Sequence, residues 1–152
     1  MTSLAQFTET GLLAPRLAGD HRESVIAELC QRLEKAGRIE NAEIFGRAVL
    51  EHEALAPAVF DGVAFPLAHK GACRELSFAA GFLAQPIHWG STHGPLVAAV
   101  VLFSVPPAVE VRYNSLVLAF SGLLKDGKKL AGLRACATPE EMLELLGQMR
   151  FQ

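Results

Sequence analysis

Residues Leu96 to Phe103 read LVAAVVLF, eight positions with no polar residue among them. A strand with one wet face alternates apolar and polar side chains, so a run that is apolar throughout requires cover on both faces. The run is too short to cross a bilayer, which takes about 20 residues. It predicts a central strand, and with it helices on both sides of one sheet.

The flanking sequence supplies those elements. Gly62 to Phe65 and Leu76 to Phe82 are further short apolar runs, and Pro66, Gly71, Pro86, Gly90, Gly94 and Pro95 separate the three. They read as strands. Upstream, Asp20 is placed to cap a helix with Glu23 three residues on, and Val25, Ile26, Leu29, Cys30 and Leu33 fall on one helical face until Gly37. A second helix starts near Asn41, with Ile44, Phe45, Ala48 and Val49 as its apolar stripe and Glu40, Glu43, Arg47 and Glu51 outside it. The two helices should pack together.

Downstream of Pro106 and Pro107 the helical period returns in Leu116, Val117, Phe120, Leu123 and Leu124, and Asp126-Gly127 stops it. A short helix over Lys128 to Cys136 follows. Thr138-Pro139-Glu140-Glu141 then gives an N-cap, a proline at the first helical position and a capping-box acid, ahead of Met142, Leu143, Leu145, Leu146 and Met149. The expected order is two helices, several strands, then two or three helices, an α/β arrangement without internal repeat or linker. At 152 residues the chain fits one domain, taken as residues 1–152.

Composition narrows the function. The net charge is -2 and the basic residues are scattered, which leaves no footprint for nucleic acid and none for insertion into or adhesion to an anionic membrane. Cys30, Cys73 and Cys136 are odd in number and widely spaced, suggesting neither a disulfide framework nor a zinc site. The first twenty residues have no basic segment leading into an apolar run, so they do not read as a secretory signal. A cytoplasmic protein is expected.

Several stretches, in order along nearly the whole chain, resemble the type-2 enzyme IIA family of the bacterial phosphotransferase system, the fructose, mannitol and nitrogen-regulatory class. They are Ala42 to Leu55 (AEIFGRAVLEHEAL), Asp61 to Pro66 (DGVAFP), Phe82 to Gly94 (FLAQPIHWGSTHG) leading into the buried strand and Val105-Pro106, and Ala137 to Leu146 (ATPEEMLELL). The resemblance implies a mixed sheet sandwiched between helices. It also implies a domain that takes a phosphoryl group from a histidine-phosphorylated carrier protein and passes it to a IIB domain, or in the nitrogen branch regulates a transporter, kinase or other enzyme. The family's site has a nucleophilic histidine just after the strand's proline, a second histidine at the start of the helix after the buried strand, and an arginine near the second helix. An imidazole offers a lone pair to phosphorus, its neighbour orients the transferring group, and a guanidinium neutralises the equatorial oxygens.

All three positions differ in this chain. Laid on the family's pattern with one residue fewer in the Ala56 to Gly62 loop, the arginine falls on His52, the nucleophile on Leu67 and the second histidine on Tyr113. A leucine has no lone pair and cannot hold phosphate. The preceding loop, Ala56 to Asp61, also lacks the family's glycine- and threonine-rich composition, which leaves fewer mobile amides to cradle an anion. The expectation is a degenerate site in a regulatory or protein-binding module. Two alternatives stand beside it: a working carrier that uses His69, two residues beyond Leu67, and a sensor whose apolar former site around Phe65, Leu67 and Tyr113 takes a small ligand.

Other candidates have plainer explanations. His69-Lys70-Gly71 reads as a polar turn after a strand. His52, His69, His88 and His93 match no metal-ligand spacing, so neither a metal nor another cofactor is expected. Trp89 reads as a packing residue at a strand end, Cys73 beside Arg74 is a weak nucleophile candidate, and Arg112 with Tyr113 could meet an anion at a helix start.

Overall fold

The computed structural model of the chain describes residues 2–68, 73–107 and 110–151. For reference, the strands are β1 (Thr2–Ser3), β2 (Leu13–Leu17), β3 (Val59–Phe60), β4 (Val63–Ala64), β5 (Leu67–Ala68), β6 (Ser77–His88), β7 (Leu96–Ser104) and β8 (Arg150–Phe151). The helices are α1 (Arg22–Lys35), α2 (Ala42–Leu55), α3 (Glu110–Lys125), α4 (Gly127–Arg134) and α5 (Pro139–Gly147). The all-apolar run forms β7 and occupies the middle of a six-stranded sheet. One edge of β7 pairs antiparallel with β6, from Ser104 opposite Ser77 to Leu96 opposite His88. Its other edge pairs parallel with β4 and then β5, which lie in series along it. Beyond these, β2 runs parallel to β6 and β3 antiparallel to β4. The sheet is therefore mixed.

Both faces of β7 are covered. Ala99, Val101 and Phe103 meet one core with Phe78, Leu116, Phe120, Leu133 and Met142, which α3, α4 and α5 close. Val97, Val100 and Leu102 meet a second core with Val25, Leu29, Phe45 and Val49 from α1 and α2. Burying each valine, leucine or phenylalanine of this set contributes about 1.5 to 3 kcal/mol, so this one strand carries a large share of the driving force. Cover begins at Val97, since Leu96 is 54% exposed at the strand's start.

The helix ends follow local chemistry, with one shift. The expected cap at Asp20 lies one residue early: His21 is the N-cap of α1, its N–H donating to Ser24 Oγ at 3.3 Å, while the Asp20 carboxylate accepts from the His21 ring at 2.8 Å. Asn41 Oδ1 accepts from the Ile44 N–H at 2.9 Å and starts α2 as expected. Asp126 does more than stop α3, for its carboxylate accepts from the Lys128 and Lys129 amides and opens α4. Thr138 Oγ1 accepts from the Glu141 N–H and opens α5.

Other expectations need correction. Two strands precede α1, so the chain does not open on helices. Pro15 disguised β2, an edge strand whose register to β6 shifts between Ala14 and Leu17, where a residue lacking an N–H is tolerated. Likewise β6 runs on through Pro86 to His88, because its pairing to β7 is irregular between Phe82 and Ile87. Ile44 is 53% exposed, and the buried face of α2 is Phe45, Val49 and Glu53. β1 and β8 pair and tie the two ends of the described chain together. Among the described residues, no helix is long and apolar enough to cross a membrane.

The buried carboxylate on α2 has one clear role. Glu53 is 2% exposed and accepts the Trp89 Nε1–H at 3.2 Å, which ties α2 to the end of β6. Trp89 is thus a packing residue with its polar handle satisfied. Burial raises the Glu53 carboxyl above its ordinary value, against the opposing hydrogen bond from Trp89 and the positive charge of Arg22.

Two tests follow from this packing. Phe103→Ala, which empties a fully buried position between Phe65, Phe78, Phe120 and Tyr113, should cost about 3 to 5 kcal/mol in urea unfolding. A raised folded pKa means that the stability Glu53 contributes is fully present below the unfolded pKa and is lost as pH rises through the folded value. Glu53→Gln keeps an acceptor for Trp89 and removes the titration. Its stability relative to wild type should therefore climb as pH rises from about 4, near the unperturbed glutamate value. A difference that does not vary with pH would show that Glu53 does not titrate there.

Candidate functional site

The strand line beside β7 is broken at one point. β4 ends at Ala64 and β5 begins at Leu67, with Phe65 and Pro66 between them. Pro66 has no N–H to give to the ladder, yet its carbonyl accepts from the Phe103 N–H at 2.9 Å, and the Ala68 carbonyl accepts from the Val105 N–H at 3.1 Å. These bonds fix Leu67 opposite Phe103. Period-two alternation then sends Val63 and Leu67 to the α3 side, and Ala64 and Ala68 to the α1/α2 side.

On the α3 side Leu67 is 8% exposed and lines a cavity of about 310 Å³. Tyr113, in the first turn of α3, lines the same cavity, its ring packed edge-on to Phe103 at 5.4 Å between centroids. Phe65 stacks on Phe103 at 6.2 Å and tilts against Phe60 at 6.3 Å. Val117 and Leu124 complete the apolar wall, while Asp61, Ser121 and Lys125 supply polar groups. Tyr113, Val117, Ser121 and Leu124 recur at helical spacing, so one face of α3 forms a wall of the cavity.

The floor and the mouth depend on a hairpin. β3 and β4 are joined by Asp61 and Gly62, both with positive φ, at 51° and 81°. That is the backbone of a two-residue turn of the kind Asp-Gly favours, with φ above zero at both central positions. The Ala56 to Asp61 segment, read from sequence only as a loop, therefore contributes a strand, and Phe65 N–H donates to the Ala58 carbonyl at 2.8 Å. Asp61 is held at the cavity mouth by this turn.

Leu67 and Tyr113, far apart in the chain, thus line one cavity. His52 does not line that cavity; it lies in the last turn of α2, a helix whose Phe45 and Val49 pack into the other core with Ala64 and Ala68 and which also contacts β5. His69 lies outside the described residues, as do Lys70 and Gly71. The Arg112 guanidinium, weighed as a partner of Tyr113 for an anion, sits over the Phe7 ring at 5.3 Å.

The interior of the cavity is neutral, and its charged lining residues are the exposed Asp61 and Lys125. Burial raises the Tyr113 phenol above its ordinary value, so it stays protonated and acts as a hydrogen-bonding group. Ser121 Oγ–H donates back to the Val117 carbonyl at 3.1 Å, which leaves the oxygen's lone pairs for any further bond. Burial also raises Cys73, and pushes Cys30 up to about 12, so neither thiol has the thiolate character of a nucleophile. His88 Nδ1–H donates to the Gly94 carbonyl at 2.8 Å. Among the described residues no three His, Cys, Asp or Glu side chains are grouped to hold a metal ion.

Asp61, Phe60, Ser121 and Lys125 had no place in the sequence reading of the site. Asp61-Gly62 between short apolar pairs is a hairpin signal, and the spacing from Tyr113 to Val117 and Ser121 marks one helical face. Neither signal says that a cavity lies between them.

A family model described as "Phosphoenolpyruvate-dependent sugar phosphotransferase system, EIIA 2" matches residues 7–149. The chain is 32% identical over 149 residues to the "PTS system 2-O-alpha-mannosyl-D-glycerate-specific EIIABC component" of Escherichia coli strain K12, a match that takes in 96% of this chain and 23% of that protein. It therefore spans less than a quarter of the length of that relative. Its fold is similar to that of nitrogen regulatory protein IIA-Ntr from Neisseria meningitidis, with a TM-score of 0.82 at 14% identity over 94% of this chain and 98% of the other. It is similar also to Escherichia coli IIA mannitol in a complex with phosphorylated enzyme IIB mannitol, with a TM-score of 0.75 at 17% identity over 91% and 95%. With the mixed sheet, the two helical layers and the family match running along nearly its whole length, the chain belongs to the type-2 enzyme IIA family of the phosphoenolpyruvate-dependent sugar phosphotransferase system.

Proposed function

We propose that this enzyme IIA-type domain carries no phosphoryl group at the position after Pro66 and acts as a regulatory, protein-binding module of the phosphotransferase system. The observation that carries the reading is Leu67 itself. Phosphoryl transfer needs a lone pair in line with phosphorus and positive charge around the equatorial oxygens. Leu67 supplies no lone pair, and the walls around it are Phe60, Phe65, Val117 and Leu124. Tyr113 is neutral. Lys125 is the only basic side chain among the described residues lining the cavity, and it is exposed.

A protein partner follows from the family. The mannitol IIA structure is a complex with a phosphorylated IIB domain, so a IIB domain or the histidine-phosphorylated carrier is the first partner to test here, followed by a regulated transporter, kinase or enzyme. Whether a sugar such as the relative's mannosylglycerate is involved depends on that partner. The competing reading, a carrier that uses His69, makes the opposite forecast about phosphate.

Incubating the protein with phosphoenolpyruvate and the upstream carriers, then weighing it intact, separates the two readings. The expected mass is that of the unmodified chain, and stoichiometric phosphate on any histidine overturns the proposal. Restoring the nucleophile alone should not restore the chemistry. Leu67→His places an imidazole in an apolar cavity without a charge partner, and groups that act as a unit are strongly non-additive. Its transfer rate is expected to fall short of an ordinary family member by about a hundredfold or more, the scale seen when one transition-state donor is missing. Adding Tyr113→His, which lines the same cavity, should recover part of that deficit. A single Leu67→His protein that transfers at full rate would mean the surrounding site is intact, and would remove the main support for the regulatory reading.

A further inference from the structure

The cavity that Leu67 and Tyr113 line is too large, and its mouth too specifically charged, to be only the remnant of a phosphate site. An engineered apolar cavity of about 150 Å³ already takes up benzene. This one is about 310 Å³ and is walled by Phe60, Phe65, Leu67, Tyr113, Val117 and Leu124, so it has room for a ring or branched chain and a few more heavy atoms. Asp61 and Lys125 line it as well, one from the β3–β4 turn and one from the last residue of α3. They carry opposite charges, yet among the described residues neither forms an ion pair with the other or with a third residue.

We infer that the cavity binds a small zwitterion with an apolar body, of which an apolar α-amino acid is the simplest example. The apolar part enters the aromatic and aliphatic interior, where it displaces water from a wall that cannot hydrogen-bond to it. The ammonium meets the Asp61 carboxylate and the free lone pairs of Ser121 Oγ, whose own proton is engaged by the Val117 carbonyl. The carboxylate meets the Lys125 ammonium. A ligand with one charge would satisfy one side of the mouth and leave the other uncompensated. The two-residue turn, with φ at 51° for Asp61, fixes where the Asp61 backbone stands at the cavity. The inference rests on the reading that Leu67 holds no phosphate, and gives the regulatory module something to report.

Titration calorimetry and amide NMR on the full chain test it with four kinds of probe. L-phenylalanine and L-leucine should bind saturably, with shifts centred on Tyr113, Val117 and Ser121, and L-serine should not. The single-charge analogues 3-phenylpropionate and phenethylamine should each bind at least about tenfold more weakly than L-phenylalanine. Asp61→Asn, which tolerates the positive φ, and Lys125→Gln should each weaken L-phenylalanine by about tenfold without changing the melting temperature. Val117→Phe, which fills the cavity from α3, should abolish binding in a protein whose circular dichroism is unchanged. Equal binding of the single-charge analogues, unchanged affinity in the Asp61 and Lys125 variants, or no saturation by either amino acid overturns the inference. Phosphate on a histidine of the wild-type chain would instead overturn the reading of a non-phosphorylated module, so the two failures are told apart by mass and by titration.

Discussion

The constraint on which the rest depends is that β7 is hydrogen-bonded on both edges and packed on both faces. A strand in that position buries any polar side chain it carries, and from Val97 to Phe103 it carries none, Ser104 at its end being the exception. Its two faces require two separate helical layers, α1 with α2 and α3 with α4 and α5. Its two edges require neighbours of opposite direction, because β6 reaches it through a short turn and β4 and β5 reach it by a longer path. Phe103 concentrates the constraint. It contacts Phe65, Phe78, Phe120 and Tyr113 while its N–H is bonded to Pro66, so strand register, core packing and the cavity wall meet at one residue.

The site lies where the sheet's regularity lapses. β5 and β7 run parallel, and at their carboxyl ends the chain turns from β7 into α3, which leaves a crevice of the kind that parallel neighbours create. Pro66 breaks the ladder one residue before that crevice and so sets where Leu67 stands. The same geometry would present any residue at this position to the start of α3. Position, then, is a property of the fold, and chemistry is a property of the side chain placed there.

The layers were legible because they depend on patterns that a sequence displays directly. An unbroken apolar run has only one place in a two-layered α/β sheet, and Asn41 and Thr138 announce helix starts by side chains that accept backbone N–H bonds, whereas Asp126 was legible only as a stop. β2 and the far half of β6 were not legible, since Pro15 and Pro86 argue against a strand unless one knows that an irregular register excuses them. The Leu67–Tyr113 meeting came from the family pattern, because nothing local relates residues in β5 and α3. His52 came from the same pattern, while beside it Glu53, buried and bonded to Trp89, was marked by no pattern at all. Asp61 and Lys125 were invisible as a pair because their proximity to one cavity depends on the turn and on the length of α3 together.

On the proposed reading, the change at position 67 is consistent with its surroundings rather than an isolated loss. An imidazole that accepts phosphate must stay solvated enough to exchange protons and near enough to positive charge to hold a dianion. Leu67 is 8% exposed among rings and aliphatic groups, where a charged phosphoimidazole would be desolvated without compensation. A leucine in the same place leaves no polar group unsatisfied and adds apolar surface to the cavity wall. Tyr113 follows the same logic: burial keeps its phenol neutral, so it can donate a hydrogen bond but cannot supply the charge that a second imidazolium would. Two replacements in one cavity that both exchange ionisable chemistry for neutral packing point in the same direction, toward a pocket suited to an apolar guest with its charges at the mouth.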